Sequence, residues 1–232
     1  MALPVSLSGH GLKPGFRDTA LFAPRRVVLM ADPALPASAI LARNLAAGGF
    51  KGALHAVGAA WPGLGHAAEL DALPAGPELA ILSLAPEAIE GAMQALAARG
   101  CFAAVVPGPA PGLAAICKRT GVRALGEHSF GLCIPRLGLN ASLSHIAARP
   151  GRLALLCQSS ALARAVIDWA EGDAVGFTLI AGIGTNADYG FGGGLDWLAR
   201  DAATGAILLD LRRIKDRRRF ISSARAAARS RP

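Results

Sequence analysis

The stretch PGRLALLCQSSALARAVIDWA, residues 150–170, decides the fold of this chain. An apolar run at 153–157 leads through a small polar turn into a helical pattern that starts at residue 161. This order predicts a strand that passes directly into a helix. Free N–H groups and the positive end of the helix dipole favour anions at such a helix start. We therefore predict an anion-binding site at Gln158, Ser159 and Ser160, although serine is also a common N-cap for purely structural reasons.

Upstream of this stretch, short apolar runs alternate with helical patterns, which is typical of an α/β fold with a parallel sheet. The sequence predicts a Rossmann-like unit over residues 21–146, preceded by an N-terminal extension over residues 1–20. Five strands are predicted at 27–30, 52–57, 79–84, 102–106 and 122–125, with helices at 37–47, 87–99 and 113–120.

A second unit is predicted over residues 150–232, after a linker at 147–151 in which Pro150 and Gly151 act as breakers. Its sheet is expected to hold three strands, and a Gly-rich loop is expected to run through Gly194. The predicted strands lie at 153–157, 176–183 and 206–211, and the longer predicted helices at 161–170 and 216–228.

Composition indicates a globular chain without a membrane span. Hydrophobic residues make up 53% of the 232 residues and charged residues 17%. No apolar run reaches the about 20 residues that a bilayer-spanning helix needs, and residues 1–13 lack the layout of a signal peptide. The four cysteines are widely spaced, which is typical of buried free thiols in a reducing cytoplasm. We therefore expect a cytoplasmic protein without a membrane partner or a metal site.

The net charge of +8 is concentrated near the C-terminus. Between Leu211 and Pro232 a single acid, Asp216, stands against nine basic residues: Arg212, Arg213, Lys215, Arg217, Arg218, Arg219, Arg225, Arg229 and Arg231. Basic segments bind nucleic acid or phosphate-bearing ligands. However, aromatic residues for base stacking do not interleave with these arginines, which lie mostly on a helical segment. We expect a solvated helix face and no nucleic-acid partner.

A second pattern, Gly182-Ile183-Gly184-Thr185-Asn186-Ala187, matches the dinucleotide-binding fingerprint after a strand. The fingerprint requires a helix directly afterwards, and here the Gly-rich segment 188–194 follows. Asp201 stands roughly where the acidic ribose ligand belongs, but it precedes a third strand instead of ending a second one. We therefore do not expect NAD as a cofactor.

Several segments in unbroken order over roughly residues 20–232 resemble one protein family. The matching segments are Leu21–Val27, Asn44–Leu45, Gly48–Gly52, Gly138–Ser142, Cys157–Trp169, Ile207–Leu209, Ile214–Asp216 and Phe220–Arg229. Through them the chain is similar to the NDP-forming acyl-CoA synthetases, which include the succinyl-CoA ligase α subunit and the ADP-forming acetate–CoA ligases. The Gly184 to Asp188 segment also resembles the family's Gly-Asn-x-Ala-Asp motif, with Thr185 in place of the asparagine.

The resemblance implies a Rossmann-like CoA-binding domain followed by a flavodoxin-like ligase domain that is incomplete at its C-terminal end. The family transfers a phosphoryl group through a histidine, with CoA attacking an acyl phosphate. None of the five histidines stands where the family's histidine falls, and the ATP-grasp domain is not found in the 232 residues. We therefore expect no synthetase activity from this chain alone, no catalytic residue, and an ATP-grasp domain or subunit as partner.

The resemblance also implies a CoA site in loops at the carboxyl ends of the first unit's strands. Two departures put its strength in doubt: Ala31-Asp32-Pro33 replaces Gly-Ala-Ser, and Gly126-Glu127-His128 replaces Gly-Pro-Asn. A carboxylate near the phosphates repels them, and proline lacks an N–H donor. The residues placed at this site are Ala31, Asp32, Pro33, Ser38, Lys51, Ala85, Pro86, Gly126 and His128.

Two interpretations of these departures stay open: CoA binding has weakened, or the site has adapted to another acyl-CoA or nucleotide. His128 likewise either pairs with a ligand phosphate or bonds locally. The leading hypothesis is the CoA- or acyl-CoA-binding portion of an acyl-CoA synthetase-like protein, as part of a longer chain or as a stand-alone relative. The alternative is a non-catalytic acyl-CoA or nucleotide sensor that acts through a partner. A three-stranded second sheet would also expose an edge and favour self-association.

Overall fold

The computed structural model describes residues 16–229. The predicted extension at 1–20 lies mostly outside these residues, and its last part belongs to helix α1, Phe16–Phe22. Leu21 and Phe22 at the end of α1 are fully buried. The end of this helix is therefore part of the core of the first unit.

The first sheet has six parallel strands, one more than the sequence predicts. Their spatial order is β3-β2-β1-β4-β5-β6, so the chain reverses direction across the sheet between β1 and β4. The additional strand is the short β3, which has no continuous apolar run. The strands are β1 Arg26–Ala31, β2 Ala53–Val57, β3 Gly65–Ala67, β4 Leu79–Ser83, β5 Ala103–Val106 and β6 Arg123–Gly126.

Three helices cross between these strands: α2 Pro36–Ala47, α3 Pro86–Ala98 and α4 Leu113–Thr120. Proline opens both α2 and α3, because its fixed φ suits the first turn and its missing N–H would have no partner there. Gly121 ends α4 with a φ of 76°, a left-handed conformation that glycine adopts without a steric penalty. The predicted positions of all three helices are confirmed within one residue at each end.

The second sheet has five strands, and the prediction of three is wrong. Its order is β11-β9-β10-β7-β8, with β9, β10 and β11 parallel to one another. A hairpin that precedes residue 150 supplies the other two strands, and its first strand pairs antiparallel with β10. The strands are β7 Gly131–Ile134, β8 Leu139–Ser142, β9 Pro150–Cys157, β10 Phe177–Gly182 and β11 Ala206–Asp210.

Three helices belong to the second unit: α5 Ser160–Gly172, α6 Phe191–Leu198 and α7 Arg217–Ala228. The prediction of a Gly-rich loop that runs through Gly194 is wrong, because Gly192 to Gly194 lie inside α6. These glycines allow close packing: a β-carbon on Gly193 would lie 2.6 Å from the Tyr189 ring, and one on Gly194 would lie 2.7 Å from a Leu156 methyl group.

The two units share one core and a network of bonds. One apolar cluster contains Leu29 and Val105 from the first sheet together with Leu156 and Ala181 from the second. The predicted linker at 147–151 does not separate the two units as a free segment, since Pro150 and Gly151 are the first residues of β9. Because the hairpin before residue 150 pairs into the second sheet, the domain boundary near residues 146–150 stays a prediction.

The α/β class of the fold is confirmed: the first sheet is parallel, and the second sheet is mixed, with three parallel strands and an antiparallel hairpin. Among the helices within residues 16–229, none combines the length and the apolar character that crossing a membrane requires.

Candidate functional site

A groove of about 700 Å³ lies at the carboxyl ends of β1, β2 and β4. Ala31 and Pro33 line it from β1, Gly58 from β2 and Leu84 from β4. The strand order reverses between β1 and β4, and open α/β sheets bind ligands at such a reversal point. Glu69, Asp71 and Arg99 also line the groove, and Arg99 Nε lies 3.7 Å from an Asp71 carboxylate oxygen.

Asp32 opens the loop after β1. Its backbone N–H donates to the Ser83 carbonyl at 2.8 Å, and its Oδ1 accepts a hydrogen bond from the Ala34 N–H at 2.9 Å. The carboxylate thus stabilises a local turn and remains partly exposed beside the groove. A ligand phosphate at this loop would face a negative charge.

Ser38, in the first turn of α2, is completely buried, and its Oγ lies 2.9 Å from the Ser83 Oγ. This hydroxyl pair joins the start of α2 to the end of β4. The structure therefore places Ser38 beneath the loop, where it positions the helix. Ala85 and Pro86 follow at the start of α3, on the same edge of the sheet.

Gly126 is the last residue of β6, and Glu127 and His128, which follow it, are held by the loop after β5. Glu127 Oε2 accepts a hydrogen bond from the Ala110 N–H at 2.7 Å, and the His128 N–H donates to the Gly108 carbonyl at 3.0 Å. The acid that replaces the family's neutral residue therefore bonds the protein backbone. The imidazole of His128 is exposed.

Lys51 does not join the other predicted residues. It lies two residues before β2, and β2 runs parallel to β1 with Ala53 beside Arg26. Lys51 is therefore beyond the amino ends of the strands, whereas Ala31 is at the carboxyl end. At about 3.3 Å per residue, the two positions are separated by most of the sheet's length. The match to the Gly48–Gly52 segment, which contains Lys51, did not show at which end of β2 the lysine lies.

The backbone N–H groups of the predicted anion site at the start of α5 donate to a carboxylate of the protein itself. Asp210 Oδ2 accepts hydrogen bonds from the backbone N–H groups of Ser159 at 2.8 Å and Gln158 at 3.2 Å. Ser159 is the N-cap, and its Oγ accepts a hydrogen bond from the Leu162 N–H at 3.2 Å. The structural interpretation of Ser159 is therefore supported, and an internal carboxylate occupies the position expected for an external anion.

The side chain of Gln158 joins three loops at the carboxyl ends of β9, β10 and β11. Its Oε1 accepts hydrogen bonds from the N–H groups of Arg212 and Arg213, and its Nε2 donates to the Gly184 carbonyl at 3.1 Å. The basic loop after β11 is thereby fixed beside the start of α5. Arg212, Arg213 and Lys215 of this loop are exposed and line a groove of about 680 Å³ together with Leu211 and Ile214.

Asp210 was missed by the sequence analysis. Parallel pairing places Asp210 beside Cys157, directly before the turn into α5. An acid at the end of a strand that neighbours a strand–helix turn was the available signal. This signal identifies Asp210 only when the pairing of β11 with β9 is known.

The fingerprint segment does not lead into a helix. Gly184 has a φ of 61° and Asn186 a φ of 59°, and α6 starts only at Phe191. The segment instead contacts the first unit. The Thr185 N–H donates to the Glu127 carbonyl at 2.9 Å, and Asp188 Oδ2 accepts from Arg123 Nε at 2.7 Å.

Comparison with known proteins agrees with this architecture. Residues 150–232 match the model of the succinyl-CoA ligase-like flavodoxin domain. The chain is 32% identical over 120 residues to the ADP-forming acetate–CoA ligase I of Archaeoglobus fulgidus, and 32% identical over 115 residues to the α subunit of the ADP-forming acetate–CoA ligase I of Pyrococcus furiosus. These matches support the predicted resemblance to the NDP-forming acyl-CoA synthetase family.

Solved structures give the same result for the fold. The dinucleotide-forming acetyl-coenzyme A synthetase 1 of Candidatus Korarchaeum cryptofilum, in complex with phosphate and ADP, superimposes with a TM-score of 0.84 at 26% identity. The alignment covers 92% of this chain and 50% of that one. The matches to the curated relatives cover 52% of this chain and 18% of the A. fulgidus protein, and 50% of this chain and 25% of the P. furiosus subunit. The chain thus corresponds to only part of each relative.

Proposed function

We propose that this chain is the CoA- or acyl-CoA-binding portion of an NDP-forming acyl-CoA synthetase-like protein. The observation that carries the proposal is the groove at the carboxyl ends of β1, β2 and β4, in a chain related to ADP-forming acetate–CoA ligases. The groove is large enough for part of a coenzyme, and alanine, valine and leucine residues form much of its wall. Such a wall suits the apolar segments of an acyl-CoA.

The proposed site binds CoA weakly. Asp32 brings a carboxylate to the first loop, and Glu69 and Asp71 add two more acids along the groove. A like charge about 4 Å from a phosphate costs about 1–4 kcal/mol at intermediate to high dielectric. The repulsion therefore reduces the affinity for CoA but leaves the contacts with its apolar parts.

We further propose that the complete reaction needs an ATP-grasp domain or subunit as partner, and that the protein works in the cytoplasm. One of the relatives is an α subunit, which supports a division of the reaction between chains. The four buried free cysteines fit a reducing compartment. On this proposal the chain alone forms no phosphohistidine.

The bond between Asp210 and the start of α5 favours a second candidate function, a non-catalytic acyl-CoA sensor. The Gln158 and Ser159 N–H groups that could hold a phosphoryl group already donate to Asp210. Incubation with CoA, an acyl phosphate and an ATP-grasp partner distinguishes the two functions. Formation of acyl-CoA supports a synthetase role, and binding of acyl-CoA without product formation supports the sensor.

Isothermal titration with CoA, acetyl-CoA, ADP and NAD tests the CoA-binding proposal directly. We expect saturable binding of CoA or acetyl-CoA and none of NAD. Ala98→Trp places a large side chain in the groove from α3, and we expect it to weaken CoA binding at least about tenfold. Ala115→Trp is the matched control, since Ala115 is exposed on α4 and does not line the groove. Binding of NAD alone, or equal effects of the two variants, would refute the proposal.

A further inference from the structure

A second cavity, of about 420 Å³, lies between the two units. It is bordered by the C-terminal half of α2, by the β7–β8 hairpin and by the segment that leads into β9. Leu139 and Ile146 contribute apolar side chains to its wall, together with two prolines and three alanines. The apolar part of the lining would accommodate a short hydrocarbon group.

The charged side chains that line this cavity are both potential cations, Arg43 and His145, and none of its lining residues carries a carboxylate. Arg43 Nε and Nη2 lie 3.3 Å and 3.2 Å from the Asn44 Oδ1, and its Nη1 donates to no group within residues 16–229. Arg43 also forms no ion pair with the described residues. Its charge is therefore available to a ligand.

Asn140 supplies a donor to the same cavity. The residue is only 8% exposed, and its Oδ1 accepts a hydrogen bond from the Ser142 Oγ at 2.6 Å. The amide nitrogen Nδ2 donates to no acceptor in the described part of the chain. A ligand oxygen in the cavity can therefore accept a hydrogen bond from this amide without displacing a partner within the protein.

The neighbouring Asn44 fixes the relative position of these groups. Its Nδ2 donates to the carbonyls of Ser142 and Ser144, both at 2.8 Å, and so joins α2 to the hairpin that carries Asn140. At the rim, His145 Nε2 lies 2.8 Å from an Asp168 carboxylate oxygen. Asp168 itself does not line the cavity.

We propose that this cavity binds a small amphipathic carboxylate, with Arg43 and the Asn140 amide holding the carboxylate oxygens and the apolar wall holding the hydrocarbon part. Guanidinium and amide donors match the two oxygens of a carboxylate, and bonds to a charged acceptor are the stronger kind. Asp168, an acid beside the cavity, is engaged with His145 at the rim.

The site is separate from the proposed CoA groove. Gly48 at the end of α2 and Pro150 at the start of β9 both line the cavity, which places it at the amino ends of the strands. The CoA groove lies at the carboxyl ends of the strands, which is the opposite end of the first sheet. The proposal therefore goes beyond the proposed function and does not depend on CoA binding.

Titration of the full chain with hexanoate, followed by calorimetry and by the side-chain amide resonances of asparagine, tests the site. We expect saturable binding that shifts the Asn140 amide signal, and at least about tenfold weaker binding of the neutral isostere hexanamide. Arg43→Gln removes the charge from an exposed position that tolerates the change, and should weaken hexanoate binding about tenfold or more. Arg200→Gln, another exposed arginine outside the cavity, should leave the affinity unchanged.

Several results would overturn the proposal. These are a lack of saturable hexanoate binding by the wild-type chain, equal affinity for hexanamide, an unchanged affinity in Arg43→Gln, or an Asn140 amide signal that does not move. CoA titration of the same Arg43→Gln variant separates this proposal from the proposed function. We expect its CoA affinity to equal that of the wild type, because Arg43 does not line the groove.

Discussion

The carboxylate of Asp210, at the end of β11, accepts a hydrogen bond from the backbone N–H of Ser159, at the start of α5, over 2.8 Å. A helix start favours negative charge because its first N–H groups have no partner within the helix and the dipole is positive there. The protein meets this requirement with its own acid. The same bond joins the carboxyl ends of two neighbouring parallel strands, and the Gln158 side chain beside it holds the basic loop that follows β11.

Asp210→Ala should destabilise the second unit. The variant leaves the N–H groups of Gln158 and Ser159 without their charged acceptor, and such bonds contribute about 1–3 kcal/mol. We expect the free energy of unfolding, measured in urea, to fall by about that amount. Asp173→Ala is the control, because this exposed acid lies at the C-terminal end of α5 and accepts no backbone bond there. An unchanged midpoint in Asp210→Ala would contradict the role of the carboxylate.

Asp32→Ser should tighten the binding of CoA. Serine can still accept the Ala34 N–H bond that Asp32 makes at 2.9 Å, so the turn is kept while the charge is removed. The gain in affinity, measured by calorimetry, should shrink as salt is added, because screening weakens the repulsion between carboxylate and phosphate. An affinity that stays the same or falls at low salt would mean that the loop does not face the phosphates.

Asp188→Asn should weaken the contact between the two units. Asp188 Oδ2 accepts hydrogen bonds from Arg123 Nε at 2.7 Å and from the Ala124 N–H at 2.9 Å, and Arg123 lies 5.4 Å from the centre of the Tyr189 ring. Loss of the charge leaves Arg123 without its partner, so we expect the unfolding free energy to fall by about 1–3 kcal/mol. Asp71→Asn is a matched control, since its longer contact with Arg99 is largely exposed. Equal losses in both variants would argue against a special role for Asp188.

The four cysteines should be unreactive in the native chain and should make its stability fall at high pH. Burial raises the pKa of Cys101 to about 11 and the pKa values of Cys117, Cys133 and Cys157 to about 12. The native thiols therefore keep protons that the unfolded chain releases above about pH 9. The unfolding free energy should fall from about pH 9 upward, by about 1.4 kcal/mol for each thiol and pH unit until its native pKa is reached.

Urea melts between pH 8 and 11 measure this slope, and Cys133→Ala should reduce it by one thiol's share. A thiol-specific reagent should react with all four cysteines in denaturant and with none at a comparable rate in the native chain. Fast native labelling, or a slope that the substitution leaves unchanged, would show that the thiols are not buried as the structure has them.

The repeating elements of the fold could be predicted, because each buried strand or helix leaves a local apolar pattern. The strand at 79–83 and the helix at 113–120 are examples whose bounds were predicted within one residue. The β7–β8 hairpin could not be assigned to the second sheet, since its partner β10 lies more than 30 residues away and pairing leaves no local signal. The Gly192–Gly194 run was predicted as a loop because glycine propensity is low in helices, but packing against Tyr189 and Leu156 outweighs that propensity.

The candidate site was harder to predict than the fold. The turn at Gln158–Ser160 was located correctly, but Asp210, which bonds Ser159, is 51 residues further along the chain, and only strand pairing brings it to the turn. Asp32 and His128 lie at the carboxyl ends of their strands, as predicted, because the carboxyl ends of parallel strands meet at one end of the sheet. Lys51 lies at the amino ends instead, since a motif match shows the order of residues and not the end of the strand at which they lie.

The β11 edge of the second sheet should cause self-association. The two edge strands of this sheet are β8 and β11, and among the described residues α2 packs against β8. Leu208 of β11 is 40% exposed, and an unpaired apolar edge strand can pair with a strand of another chain. We expect concentration-dependent dimers or larger species in light scattering of the 232-residue chain.

Leu208→Lys should shift this equilibrium towards the monomer, because a charged edge residue resists pairing with a second copy that carries the same charge. Ile221→Lys is the matched control. Ile221 is 49% exposed on α7 and lies outside the edge strand. Its substitution removes the same kind of apolar surface and adds the same charge. Self-association that both variants reduce equally would indicate general repulsion between basic chains. A wild-type chain that stays monomeric at high concentration would show that the edge of β11 is protected.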